Sequence, residues 1–385
     1  QVEKVEYKKL EPLEVARKEK LIYEDKVNEA IELINNSKKP FICVGGGAIT
    51  SDASEEVIEL VEKINSPICN SLMGIGVVPK GHPLLTGMIG MHGTKASNIS
   101  ATKCDLFIAL GARFSDRVIS NPENLSNAKI LHIDVDPAEI NKNIKAEVDL
   151  VGDLSFLLKD LYNKVDKKDN SKWKDEIKTY EDKEHIIGEE EFHPQNILSL
   201  VNKRIGDNTV TVTDVGQHQM WTAKYWNFPL GKSFITSAGL GTMGFGLGAA
   251  IGAKLGVPNK NVVLVTGDGS FRMNCNEMAT VSTYKIPMLI LLFNNSTLGM
   301  VRQWQKLFSN KRYSETNVDP SVDYVMLAKA YGIDGYKATN IEELKTILSE
   351  INIDRPVFLE CVINTDYDVY PIVPPNETLL NLICN

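Results

Sequence analysis

The feature that most constrains this chain is a series of short apolar runs. Each is closed by glycine, aspartate or asparagine and separated from the next by helical spacing. Pro40-Phe-Ile-Cys-Val44 ends on Gly45-Gly46-Gly47, Asp105–Leu110 on Gly111, and Lys129–Ile133 on Asp134. Val262–Thr266 ends on Gly267-Asp268-Gly269, and Met288–Phe293 on Asn294-Asn295. Apolar runs of this length are strands buried on both faces, and intervening helices join such strands in parallel. Helices are expected at Lys26–Asn35, Leu154–Val165, and Ser51–Ile64, where Val57, Leu60, Val61 and Ile64 share one face. Further helices are expected at Asn196–Ile205, Gly244–Leu255, Asn274–Tyr284, 322–331 and 341–350, with strands at Val210–Thr213 and Val357–Val362.

The pattern predicts an α/β protein of two open, doubly wound parallel-sheet domains, and 385 residues is a length for two or three domains. The first is expected over 20–165 and the second over 193–385. Residues 166–192, dense in Lys, Asp and Glu, read as a solvated, charged linker with a polar helix. Residues 1–19 read as a polar linker running into a helix, so the sequence is expected to start inside a longer protein.

A net charge of −8 argues against a general nucleic-acid binder. No apolar run approaches the ~20 residues that span a bilayer, which argues against a membrane protein. The charged start QVEKVEYKKLEPLE is not a signal peptide. Six cysteines, none in a C-x-x-C pair or beside a histidine at metal-ligand spacing, read as reduced thiols of a cytoplasmic protein.

Gly267-Asp268-Gly269-Ser270 and Asn294-Asn295 stand at the carboxyl ends of consecutive strands, where open parallel sheets bind ligands. Such strands tend to be neighbours in space, so Asp268 and Asn295 are expected to converge. A carboxylate and an amide oxygen are hard donors that suit magnesium, which completes its octahedron with phosphate oxygens. Gly267 and Gly269 are expected to let a phosphate approach the backbone. Gly-Asp-Gly alone is a common turn and Asn-Asn alone a common loop; together, at these strand ends, they read as a site for a diphosphate carrying a metal. A rival reading is Gly239-Leu-Gly241-Thr-Met-Gly244, which matches the dinucleotide pattern G-x-G-x-x-G, opens a helix and has Asp268 at the end of the next strand. Against it, Lys232-Ser-Phe-Ile-Thr236 is a poor strand, and the rival gives Asn294-Asn295 no role.

G-D-G, a helix, a buried strand and N-N form the diphosphate signature of thiamine-diphosphate enzymes, which this chain resembles. The resemblance extends over nearly the whole chain and is most specific to acetolactate synthases. Gly216-Gln217-His218-Gln219-Met220-Trp221 is similar to their GQHQMW segment, and Gly239–Gly246 to their glycine-rich loop. Gly299-Met300-Val301-Arg302-Gln303-Trp304 is similar to their GMVxQW, and Pro371–Pro375 to their C-terminal segment. The resemblance implies that Val215, Gly216, Gln217 and His218 meet the diphosphate of thiamine diphosphate, with Gly241, Gly267, Gly269, Ser270 and Gly299 also at the cofactor. It makes Asp268, Asn295 and the Thr297 carbonyl the Mg2+ ligands. It gives catalytic parts to Met243, which would hold the cofactor bent, and to Trp304, which would shape the pocket for a second 2-oxo acid; Met300 and Val301 would line the cofactor. Taken alone, Met243, Met300 and Trp304 read as packing, and His218 as a structural histidine. The chain departs from the family at Gly248, where proline is usual, and at Leu298, where glutamine is usual.

The first half resembles the FAD-binding middle domain of the same family. Gly45-Gly46-Gly47, Ser71-Leu72-Met73, Gly90-Met91-His92-Gly93 and Gly111-Ala112-Arg113 carry the likeness, with Arg117 expected to face the substrate channel. Asp134 with Val135, and Asp153, fall where the family contacts FAD; alone, they read as strand-end and capping residues. Serine at 115 replaces the usual aspartate.

The resemblance implies decarboxylation of pyruvate and its ligation to pyruvate or 2-oxobutyrate, giving 2-acetolactate or 2-aceto-2-hydroxybutyrate, the first common step of branched-chain amino-acid biosynthesis. It also implies a homodimer or homotetramer, and leaves open a regulatory small subunit. The family's catalytic glutamate belongs to an N-terminal pyrimidine-binding domain that has no counterpart in these residues, so they are expected to be inactive alone. Other thiamine-diphosphate decarboxylases and carboligases (oxalyl-CoA decarboxylase, glyoxylate carboligase, pyruvate oxidase) share the metal motif, and a non-catalytic scaffold is the alternative of a different class.

Overall fold

The computed structural model describes residues 24–181, 187–318 and 320–384; the stretch 1–19 lies outside them. The first sheet contains β1 (Pro40–Val44), β2 (Ile68–Asn70), β3 (Leu85–Met88), β4 (Leu106–Leu110), β5 (Lys129–Asp134) and β6 (Val148–Val151). Its strands lie in the order β3-β2-β1-β4-β5-β6, and every pairing is parallel. Alternate residues of β1 face opposite ways: Ile42 and Val44 join one core, Phe41 and Cys43 the other. Helices α1 (Glu24–Asn36), α2 (Gly46–Thr50), α3 (Ser54–Lys63) and α5 (Leu154–Lys164) supply Val27, Ala48, Leu60 and Leu158 to the first core. On the other face α4 (Lys95–Lys103) supplies Ala96 and Ala101.

The stretch expected as a solvated linker is only partly so. Its helix α6 (Ser171–Lys178) sinks Trp173 and Ile177 into the second core, and the Trp173 indole N–H donates to the Pro40 carbonyl at 3.0 Å. Two apolar residues one helical turn apart anchor a segment whose charge density suggested that it stood free.

The second sheet contains β7 (Thr209–Thr213), β8 (Phe234–Thr236), β9 (Asn261–Gly267), β10 (Leu289–Asn294), β11 (Asp334–Ala338) and β12 (Val357–Val362). The order is β11-β12-β10-β9-β7-β8, again all parallel. One face is covered by α7 (Pro194–Ile205) and α8 (Gln217–Tyr225), the other by α9 (Phe245–Gly256). Past the short α10 (Asp268–Phe271), α11 (Met278–Thr283) follows on the α9 face, and α12 (Gly299–Phe308) follows β10. Helix α13 (Tyr324–Ala330) also packs on the α9 face, and α14 (Ile341–Glu350) beside α7. Each fully buried Leu, Ile or Phe of these layers contributes roughly 1.5–3 kcal/mol. The run Lys232–Thr236, a poor strand by sequence, supplies β8: at a sheet edge, pairing with β7 alone suffices.

The two sheets are tied together. The Lys80 ammonium donates to the carbonyls of Lys224 and Tyr225 at the end of α8, both at 3.0 Å. The C-terminal segment returns to the first sheet: the Val373 N–H donates to the Met91 carbonyl at 2.8 Å, and Leu379 is buried beside Phe107 and Leu125. No described helix is long and apolar enough to cross a membrane.

Candidate functional site

The direction in which strands are added switches between β1 and β4 in the first sheet and between β7 and β9 in the second, where β12 later inserts between β10 and the edge strand β11. The connections leave these points in opposite directions, so the loops after the two central strands part and leave a crevice. Both crevices open into one cavity of about 910 Å³.

Beside the second crevice, Gly267 of β9 and Phe293 of β10 are register partners on adjacent parallel strands, so Asp268 and Asn295 emerge on the same edge. The Asp268 Oδ1 accepts the Gly269 N–H at 3.0 Å, while Oδ2 is buried with no hydrogen-bond partner. Burial pushes this carboxyl up to about 7, partly offset by the Gly269 N–H and Arg272. Leaving a buried carboxylate oxygen unpaired is costly unless a cation meets it. Asn295 accepts the Thr297 N–H through Oδ1 at 3.3 Å, and Ser296 between them holds a left-handed φ of 53°. The donors are oxygen only, the set that magnesium prefers.

Two further polar atoms are buried here without a partner, Ser270 Oγ and His218 Nε2. His218 is held neutral: burial lowers it to about 3, although its ring donates to the Asp214 carbonyl. The structure revises why the glycines are needed. A Cβ on Gly267 would lie 2.8 Å from His218 Nδ1, and one on Gly269 2.5 Å from Leu298 Cδ2. These glycines admit protein atoms, and the buried oxygens left beside them face the ligand space.

The residues expected at the thiamine cofactor all line the cavity, from Val215–His218 through Gly241 and Met243 to Gly299–Val301 and Trp304. On the opposite wall stand Gly45–Gly47, Leu72, Met73, Met91, His92, Gly111–Arg113, Arg117 and Asp134. Four residues expected at FAD do not line it. Gly90 and Gly93 form a buried turn, in which a Cβ on Gly90 would sit 2.1 Å from the Arg117 carbonyl oxygen. Val135 is exposed, and Asp153 caps α5 by accepting the Ser155 N–H at 3.1 Å. At the first crevice the glycines pack on one another: a Cβ on Gly47 would lie 2.7 Å from the Gly111 Cα.

The dinucleotide reading of Gly239–Gly244 fails on topology. The strand before that loop is β8 and the strand ending at Asp268 is β9, and β7 lies between them. A carboxylate at a non-adjacent strand end does not serve the nucleotide of a G-x-G-x-x-G turn.

Sequence reasoning missed Asp214. It is buried at the end of β7 and accepts the N–H groups of Val215 at 2.8 Å, Gly244 at 2.9 Å and Gly246 at 3.1 Å, which fixes the glycine-rich loop and the start of α9. Its signal was an aspartate directly after a buried strand.

Two doubly wound sheets sharing a cavity, with unpaired buried oxygens at a strand-end crevice, define a protein that binds a diphosphate cofactor. The chain belongs to the thiamine pyrophosphate enzyme family: residues 27–161 match its central domain, and residues 214–361 its C-terminal TPP binding domain. It is 43% identical over 373 residues to the probable acetolactate synthase large subunit of Methanocaldococcus jannaschii, covering 93% of this chain and 63% of that protein. It is 41% identical over 359 residues to the acetolactate synthase isozyme 2 large subunit of Escherichia coli, covering 91% and 65%. The Lactococcus lactis acetolactate synthase large subunit is 40% identical over 357 residues, covering 91% and 62%. The chain thus spans about 63% of the length of the first of these relatives.

Proposed function

We propose that this chain supplies the cofactor-holding part of an acetolactate synthase large subunit, which decarboxylates pyruvate and joins it to a second 2-oxo acid. The observation that carries the reading is the buried, unpartnered Asp268 Oδ2 at the strand end beside Asn295. Asp268, Asn295 and the Thr297 carbonyl would hold Mg2+ against the pyrophosphate, with Val215–His218, Gly267 and Ser270 around it. When bound, thiamine diphosphate supplies the electron sink for decarboxylation and the carbon nucleophile for ligation. Met243, which lines the cavity, would hold the cofactor bent, and Met300, Val301 and Trp304 would keep water from the reacting carbon. Arg117, whose guanidinium lies 3.8 Å from Asp116, would meet the substrate carboxylate.

FAD fits the first crevice as a structural cofactor, since the net reaction involves no redox change. The support is a glycine-walled switch point with Asp134 at the neighbouring strand end; Gly90, Gly93, Val135 and Asp153 lie away from the cavity. Because the relatives are named large subunits, a small-subunit partner is part of this proposal, as is a homodimeric or homotetrameric assembly in the cytoplasm.

No glutamate among the described residues lines the cavity. The carboxyl that activates the cofactor's pyrimidine is therefore proposed to come from outside the described residues, which alone are expected to form no acetolactate from pyruvate. The deciding experiment is calorimetric titration of thiamine diphosphate into the full-length protein with and without Mg2+. Binding that requires Mg2+ is expected; binding indifferent to Mg2+, or none, would overturn the reading.

A further inference from the structure

A chain of side-chain amides runs from the C-terminal segment to Asn295, and its polarity is fixed at one end by backbone. The Val369 N–H donates to Gln303 Oε1 at 2.9 Å, and Gln303 Nε2 donates to the Val369 carbonyl at 2.8 Å. A backbone N–H and C=O cannot exchange roles, so the Gln303 amide has one permitted orientation. Gln303 Oε1 also accepts Gln217 Nε2 at 3.0 Å, and the same Nε2 donates to the Tyr367 carbonyl at 3.1 Å. Both acceptors demand an NH2 group, so Gln217 too has one orientation. Its Oε1 is left to accept Asn295 Nδ2 at 3.3 Å. Reversing the Asn295 amide would place oxygen against oxygen inside the protein, where such contacts are not relieved by water.

We infer that Gln303 and Gln217 are positioning residues that lock the Asn295 amide with its nitrogen turned to Gln217, and so its oxygen toward the metal site. The inference rests on the metal-site reading above and adds a reason for three further features. Gln303 is fully buried on a helix whose Gly299, Met300, Val301 and Trp304 line the cavity. Gly299 is required because a Cβ there would lie 1.9 Å from Gln217 Oε1 and 2.9 Å from Asn295 Nδ2. Residues 365–369 are drawn into the same unit, because the Thr365 hydroxyl donates to the Asn295 carbonyl at 2.9 Å. The docked C-terminal segment thereby sets the polarity of a ligand at the far end of the relay.

The test is Mn2+ affinity, read by the electron paramagnetic resonance of Mn2+ titrated into the full-length protein with thiamine diphosphate. Gln303→Leu should weaken Mn2+ binding at least about tenfold, the usual effect of removing a partner that orients a ligand. Gln303→Glu, which buries as the neutral acid and keeps both an acceptor and a donor, should stay within about threefold of wild type. The discriminating background is Asn295→Asp. A carboxylate has no oxygen–nitrogen choice to make, and freeing Gln217 to turn its NH2 toward it relieves a repulsion. Gln303→Leu in that background should leave affinity unchanged or tighten it. Equal losses in both backgrounds would show that Gln303 merely packs the segment, and no loss in the Asn295 background would also end the inference. Wild-type protein that binds no Mn2+ with the cofactor would overturn the functional reading, and the relay with it.

Discussion

Gly267 and Phe293 face each other in register on β9 and β10, so the residues that follow, Asp268 and the Asn294-Asn295 pair, leave the sheet side by side. The pairing turns two short turn motifs, far apart in sequence, into one site. It also concentrates strain there: Asp268 keeps an unpaired buried oxygen and Ser296 a left-handed backbone.

Asp268→Asn should therefore have opposite effects on binding and on stability. The amide cannot balance a divalent cation's charge, so Mg2+-dependent binding of thiamine diphosphate should fall by at least about a hundredfold, judged by the 10–100-fold cost of losing even an indirect partner. The cofactor-free protein should gain about 1 kcal/mol, because a buried group poised to ionise near neutral pH is replaced by one that never does. Calorimetric titration checks the first, and thermal unfolding without cofactor, shifted up by about 2–4 °C, the second.

Glu360 should act on the same loop from below. It is buried on β12; its Oε1 accepts the Asn294 amide at 2.6 Å, and Asn294 Oδ1 in turn accepts the Ser296 N–H at 3.1 Å. Lys337, largely exposed at 3.7 Å, adds little to this arrangement. Glu360→Leu should weaken Mg2+ affinity about 10–100-fold and cost about 1–3 kcal/mol by orphaning the Asn294 NH2. Glu360→Gln, which retains an acceptor, should preserve most of both, as read by titration and urea unfolding.

Much of this site was legible because its chemistry is carried by strand ends. Buried apolar runs located β1, β4, β5, β9, β10 and β12, and the polar residues closing β9 and β10 named Asp268 and Asn295. The edge strands β8 and β11 were illegible: Phe-Ile-Thr and Asp-Gly-Tyr-Lys-Ala carry no long apolar run, and each pairs with a single neighbour. Partners across the sheet were also hidden. Asp214, Gln303 and Glu360 act through hydrogen bonds to residues far away in sequence; only Asp214 carried a local signal, its place directly after a buried strand, and nothing in local spacing shows that Gln303 or Glu360 will be buried. The glycines were found for an incomplete reason, since the His218 ring and the Leu298 side chain occupy the space that Gly267 and Gly269 leave.

That packing separates the two glycines by experiment. Gly267→Ala brings a methyl within 2.8 Å of an imidazole buried between backbone segments, and should cost about 1–3 kcal/mol together with cofactor affinity. Gly269→Ala meets only the flexible end of Leu298, 2.5 Å away. Leu298→Ala should rescue Gly269→Ala and leave Gly267→Ala unimproved, as urea midpoints of the single and double variants will show.

His218 gives a pH dependence whose sign follows from its burial. In the folded, cofactor-free protein its ring is held down to about 3, well below its ordinary 6.5. The unfolded chain therefore takes up the proton first as pH falls, so the contribution is intact above pH 6.5 and is lost progressively toward pH 3. The slope is about 1.4 kcal/mol per pH unit within that window. Raised carboxyls such as Asp214 and Asp268 push the other way, gaining protons in the folded state as pH falls, so total stability is a poor readout. The difference between wild type and His218→Asn isolates the imidazole. Urea unfolding at pH 7, 6 and 5 without cofactor should show the wild type losing ground to the variant by that slope below pH 6.5, whereas a difference that stays constant would mean the ring is already charged or solvated in the fold.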